Sequence, residues 1–145
     1  PFSYLILISD GLHNFIDGIM IASSFIISIP IGMATTIAVV MHEIPQEMGD
    51  FTVLIHGGFS KNKAILYNLL SASMALVGAI LILLIGNKFI NTEIVLAITA
   101  GAFIYLAGSD LIPELKKENR PLVSMMQFIS IVLGILIMYL LTFFG

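Results

Sequence analysis

The stretch "IGMATTIAVVMHEIPQEMGDFTVLI", from Ile31 to Ile55, decides how the whole chain is read. Its length and apolar ends suit a helix crossing a hydrocarbon layer about 30 Å thick, which needs roughly 20 helical residues. Its middle contradicts that setting with His42, Glu43, Gln46, Glu47 and Asp50. An acid at the centre of a spanning helix costs on the order of 2.5–3.5 kcal/mol on insertion scales. Such groups have to pair, take up a proton, or bind a cation.

The rest of the chain is as apolar as the ends of this stretch. Of its 145 residues 59% are hydrophobic and 10% charged, and the mean hydropathy is +1.08. Five spans are expected, at about 2–28, 31–57, 63–86, 92–115 and 121–144, giving an all-α polytopic transmembrane bundle read as one domain over 1–145. Helices satisfy every backbone group in lipid, and the ten-residue alternation of a membrane strand is absent. There is no cysteine, hence no disulfide or thiolate metal site, and no basic run to suggest nucleic acid. The chain starts at Pro1, with no basic segment ahead of its first apolar run. It reads as a piece of a longer or processed protein.

Five of the six basic residues, Lys61, Lys63, Lys116, Lys117 and Arg120, lie in two links that face the same side. The positive-inside rule makes that side cytoplasmic. Ala97, Gly101, Ala107, Gly108 and Ser109 are read as small residues of plain helix packing.

Seven of the nine acids fall inside spans: Asp10, Asp17, Glu43, Glu47, Asp50, Asp110 and Glu114. No Lys or Arg sits at matching depth. On the first span Asp10, His13, Asn14 and Asp17 share a stripe about 100° wide at the helical period, and His42, Glu43, Gln46, Glu47 and Asp50 form another on the second. "HNFID" (His13–Asp17) and "HEIPQ" (His42–Gln46) both offer ligands at i, i+1 and i+4. The short link at Ser28–Gly32 makes the two helices antiparallel, so the stripes meet near mid-membrane.

This geometry suggests two adjacent cation sites, one from His13, Asp17, His42 and Gln46, the other from Asn14, Asp17, Glu43 and Gln46, bridged by Asp17. Imidazole with carboxylate and amide oxygen suits Zn²⁺, Fe²⁺, Mn²⁺ or Co²⁺ better than Mg²⁺ or Ca²⁺. Pro45 removes one helical hydrogen bond and is expected to kink the helix open beside the sites. Glu47 is read as orienting a histidine in preference to ligating directly. Asp10 and Asp50 are placed away from the centre, as vestibule or proton-accepting groups. Asp110 and Glu114 are divided between helix termination and a release path, His56 is read as a solvated loop residue in preference to an exit-side metal contact, and Asn68, Ser71 and Ser73 are expected to serve helix contacts.

"HNFIDG" followed by "HEIPQEMGDF", with "SDLIPEL" (Ser109–Leu115), resembles the ZIP (Zrt/Irt-like) family of divalent metal transporters, and the second motif is similar to its LIV-1-type signature. The resemblance implies the fourth to eighth helices of an eight-helix protein. It implies zinc as the transported substrate, with Fe²⁺, Mn²⁺ or Cd²⁺ possible in its place, no organic cofactor, no enzymatic activity, and often a homodimer in the bilayer. His13, Asn14, Asp17, His42, Glu43 and Gln46 fall on the family's binuclear metal positions, and Glu47 and Asp50 match motif residues. Gln46 departs from the histidine of the LIV-1 signature. "LLSASMALVGA" (Leu69–Ala79) lacks the glutamate some members carry, so one strong and one weak site are expected. The rival readings are an intramembrane metalloprotease, for which Gln46 replaces the second histidine of H-E-x-x-H, and a metal-independent proton relay.

Overall fold

The computed structural model describes residues 2–89, 91–117, 119–141 and 143. Among these the chain is helical throughout, with no strand, in the order α1 (Phe2–Ile27), α2 (Ile29–His56), α3 (Lys61–Ala72), α4 (Met74–Phe89), α5 (Thr92–Leu106), a π turn (Ala107–Leu111), α6 (Ile112–Leu115) and α7 (Pro121–Leu141). It divides into two units, residues 1–90 and 91–145. Two helical stretches, Ser3–Ile27 and Lys61–Ile85, each of 25 residues, are long and apolar enough to cross a membrane.

In the first unit α1 touches each of the other three helices. It turns back into α2 through the single extended residue Ser28, whose hydroxyl accepts from the Ile31 amide at 3.3 Å. That hydroxyl caps the new helix, and Pro30 fits the first turn because an amide there has no helical partner anyway. At the other end of α2 the chain turns through Gly58, whose φ of +89° is strained for any residue with a β-carbon. The Phe59 ring meets those of Tyr4 and Tyr67 edge-on there, with its centroid 5.5 Å from each.

The interior of this unit is more polar than its surface. Asp10, Asn14, Asp17, Ser23, Ser24, Thr35, His42, Asn68 and Ser71 are buried, while most large apolar side chains face outward. A solvent of lipid rewards that inversion, since the hydrophobic effect no longer drives apolar groups inward. Small residues bring α1 and α4 together: a β-carbon added to Gly18 would overlap the Ala75 carbonyl, and one on Gly78 would overlap that of Phe15.

Two of the expected spans carry local irregularities. The expected span 63–86 is interrupted at Ser73, where the side-chain hydroxyl donates to the Leu70 carbonyl at 2.6 Å and tightens the turn. The expected span 92–115 widens into the π turn just before Pro113, which has no amide hydrogen for the ordinary ladder. In α2 the helix continues through Pro45, which is exposed. One missing hydrogen bond is outweighed by the turns on either side. In the second unit the π turn contacts α5 on one side and α6 on the other, and α7 follows.

Candidate metal centre

Helical spacing sets two pairs of side chains on facing ridges. In α1, His13 and Asp17 stand one turn apart, with His13 Nε2 3.7 Å from Asp17 Oδ2. In α2, His42 and Glu43 are neighbours, with His42 Nε2 3.3 Å from Glu43 Oε1. Across the hairpin, His42 Nε2 lies 3.3 Å from Asp17 Oδ2, and His13 Nε2 lies 3.6 Å from Glu43 Oε1 and 3.3 Å from His42 Nε2. The four ligand atoms all fall within 4.8 Å of one another.

These separations fit a tetrahedral ion. Zinc bonds of about 2.0–2.1 Å to nitrogen and oxygen give tetrahedron edges of about 3.3–3.4 Å. Three of the five quoted separations are 3.3 Å, and the other two are a few tenths longer. The hydrogen bonding fits as well. His42 Nδ1 lies 3.1 Å from the Ala38 carbonyl, which assigns the proton to Nδ1 and leaves an Nε2 lone pair aimed into the cluster. Both carboxylate oxygens of Asp17 and of Glu43 are buried and accept no hydrogen bond. Among the described residues the ion pairs of these two acids are with His13 and His42. Two carboxylates whose oxygens accept no hydrogen bond, facing the Nε2 atoms of two imidazoles, match a divalent cation in charge and in number of ligands.

A second group adjoins the first. Asp10, Glu43 and Glu47 bring carboxylate oxygens within 4.8 Å of one another, and Glu43 belongs to both groups. Asp10, 4% exposed, takes hydrogen bonds from three helices. Asn14 Nδ2 donates to its Oδ1 at 3.2 Å, Gln46 Nε2 donates to the same oxygen at 2.9 Å, and the Ser71 hydroxyl donates to Oδ2. Asn68 Nδ2 ties α3 to α2 through the Glu47 carbonyl at 2.9 Å.

The structure therefore groups His13, Asp17 and His42 with Glu43, not with Gln46. Gln46 and Asn14 turn their amide nitrogens to Asp10, and Glu47 stands in the second group. Glu43, in place of the expected Asp17, is the carboxylate common to both groups. Asp10, expected away from the centre, is instead at its edge, because α3 packs across α1 and presents Ser71 there. Its place on the stripe of His13, Asn14 and Asp17 is the signal for it; Ser71 gives none. Asp50 is half-buried, and His56 is exposed, with its Nδ1 2.8 Å from the Thr52 carbonyl. The side chains of Asp110 and Glu114 lie outside the described residues.

Compared with known proteins, residues 1–142 match the family described as ZIP zinc transporter. The chain is 40% identical over 136 residues to IAA-alanine resistance protein 1 of Arabidopsis thaliana, covering 92% of this chain and 29% of that protein. It is 43% identical over 114 residues to zinc transporter ZIP10 of Danio rerio, covering 78% and 14%. It is 37% identical over 151 residues to metal cation symporter ZIP14 of Xenopus tropicalis, covering 99% and 32%. The chain thus spans less than a third of the length of each of these relatives. No solved structure matches it significantly.

Proposed function

The chain belongs to the ZIP zinc transporter family, and from that premise we propose that it moves divalent metal cations, zinc foremost, across a membrane towards the cytoplasm. The ion would be held between α1 and α2 by His13, Asp17, His42 and Glu43. The observation carrying this reading is the convergence of those four ligand atoms at separations close to the edges of a zinc tetrahedron. Transport also needs binding that can be undone. A mixed nitrogen and oxygen site, open to competition from protons on its own ligands, meets that need.

The second group supports an exit route. Asp10 precedes His13 in α1 and Glu47 follows Glu43 in α2, so both lie towards the His56 end of the hairpin. Lys61 and Lys63 follow that end, and charge bias marks it as cytoplasmic. An ion leaving the four-ligand site in that direction meets Asp10 and Glu47 next, with Glu43 shared between the stops. In this reading the two groups form a binuclear-type site, with Asn14 and Gln46 at its border. The apolar outer faces of α4 and α7 support a lipid setting, and we include the homodimer implied by the family resemblance.

A metalloprotease is less well supported. Catalytic zinc keeps a coordination position open for water, whereas four protein ligands converge here, and Gln46 points its amide at Asp10. The test is radiolabelled zinc uptake by the full-length protein. His13→Ala and Glu43→Ala should each abolish uptake while the protein still reaches the membrane, and undiminished uptake in both rejects the reading. Uptake of protons untouched by a zinc chelator would favour the metal-independent relay instead.

A further inference from the structure

Between α1 and α3 the first unit carries a groove that the ion route does not use. Its volume is about 380 Å³, and its walls include Tyr4, Ile8 and Leu12 of α1 and Tyr67, Leu70 and Met74 of α3. Gly11 keeps it open, since even a β-carbon there would lie 3.7 Å from Met74 Cγ and a longer side chain would reach into the space. The two tyrosines mark one end, where both pack against Phe59, and the groove runs inwards from them. From Tyr4 to Leu12 is eight residues, about 12 Å of helix, within the roughly 15 Å depth of one leaflet. No charged side chain lines it, and the Ser71 hydroxyl on its border is already given to Asp10. Tyr4, Ile8, Leu12 and Leu70 are each more than half exposed.

The tyrosine end identifies the occupant. Lys63 precedes Tyr67 by four residues, so it stands on the same stripe of α3, one turn further out, and both Lys61 and Lys63 are exposed. An apolar channel, then two tyrosines, then two lysines follow the order of a membrane interface: hydrocarbon, aromatic belt, headgroups. Charge bias places this end at the cytoplasmic leaflet, whose anionic lipids attract basic residues. An apolar helix also fits against the groove, but it offers nothing to the positive end. We propose that the groove holds one acyl chain of an anionic phospholipid, with the phosphate at Lys61 and Lys63 and the chain running past Gly11. This lipid site needs the membrane setting only and does not rest on the transport reading.

The test is photolabelling of the full-length protein in phosphatidylcholine vesicles. Each vesicle carries a trace of phosphatidylglycerol, or of phosphatidylcholine, with a diazirine midway along one chain, and the attachment sites are read by peptide mass spectrometry. The phosphatidylglycerol probe should mark the stretches 4–12 and 67–74 at least about fivefold more strongly than the phosphatidylcholine probe does. Lys63→Gln should cut the anionic labelling roughly fivefold, the ratio that matches about 1 kcal/mol for one lysine near an anionic surface, and leave the zwitterionic labelling as it was. Gly11→Leu fills the groove and should remove labelling of both stretches while the outer face of α4 is labelled as before. Equal labelling by the two probes, or no response to Lys63→Gln, would overturn the proposal in favour of ordinary boundary lipid. So would labelling that survives Gly11→Leu. Absence of label from both stretches would overturn it in favour of a covering helix. Should Gly11→Leu fail to fold, Ile8→Trp, which enters from the exposed wall, decides by the same criteria.

Discussion

Helix α1 has two packed faces built on opposite principles. Towards α2 it presents His13 and Asp17, and the contact is made by polar side chains that need something between them. Towards α4 it presents Gly18 and the backbone of Phe15, and the contact is made by main chain with almost nothing in between. The first face carries unsatisfied charge, with the carboxylate oxygens of Asp17, and of Glu43 opposite it on α2, buried and accepting no hydrogen bond. The second carries none and is held by close van der Waals approach. One helix thus keeps a face that is incomplete without an ion beside a face that is complete as it stands.

Breaking the polar face should have the largest effect on function. His13→Ala or Glu43→Ala is expected to reduce zinc uptake by at least about a hundredfold, because a ligand missing from a four-coordinate site costs more than the 10–100-fold of a supporting partner. Surface labelling alongside uptake should show the protein still delivered. Breaking the other face should reverse that pattern. Gly18→Ala or Gly78→Ala forces a β-carbon against backbone and should destabilise the protein by about 1–3 kcal/mol, read as a lower thermal midpoint in detergent. Zinc affinity of the fraction that remains folded should be unchanged. A glycine variant that loses zinc affinity and keeps its thermal midpoint would show that the two faces are not separate.

Acid sharpens the contrast further. Protons compete for imidazole and carboxylate ligands, so zinc affinity should fall steadily as pH is lowered. The thermal midpoint of the metal-free protein should follow a different profile. The smallest effect is expected from Gln46→Ala, which should leave zinc affinity within about threefold, since that amide serves Asp10 and not the four-ligand group. A loss as large as that of His13→Ala would return Gln46 to the first site.

The all-α class was legible because long apolar runs in lipid leave few alternatives to helix. The two polar stripes were legible because the helical period is fixed. Which side chains meet across the hairpin was not, because it depends on how far each helix rotates about its own axis. Here Asn68 and Ser71 of α3, bonded to the Glu47 carbonyl and to Asp10, help fix that rotation. A small turn of α2 exchanges Gln46 for Glu43, and spacing within one helix cannot distinguish the two. The break at Ser73 and the wide turn before Pro113 were hidden for a similar reason. Each depends on how a single hydrogen bond is shared, which hydropathy does not record.

The missing β-carbons of Gly18 and Gly78 reach beyond local packing. With main chain seated on main chain, α1 and α4 have no side-chain layer in which to slip. In the transport proposed above, α1 and α4 would therefore travel together.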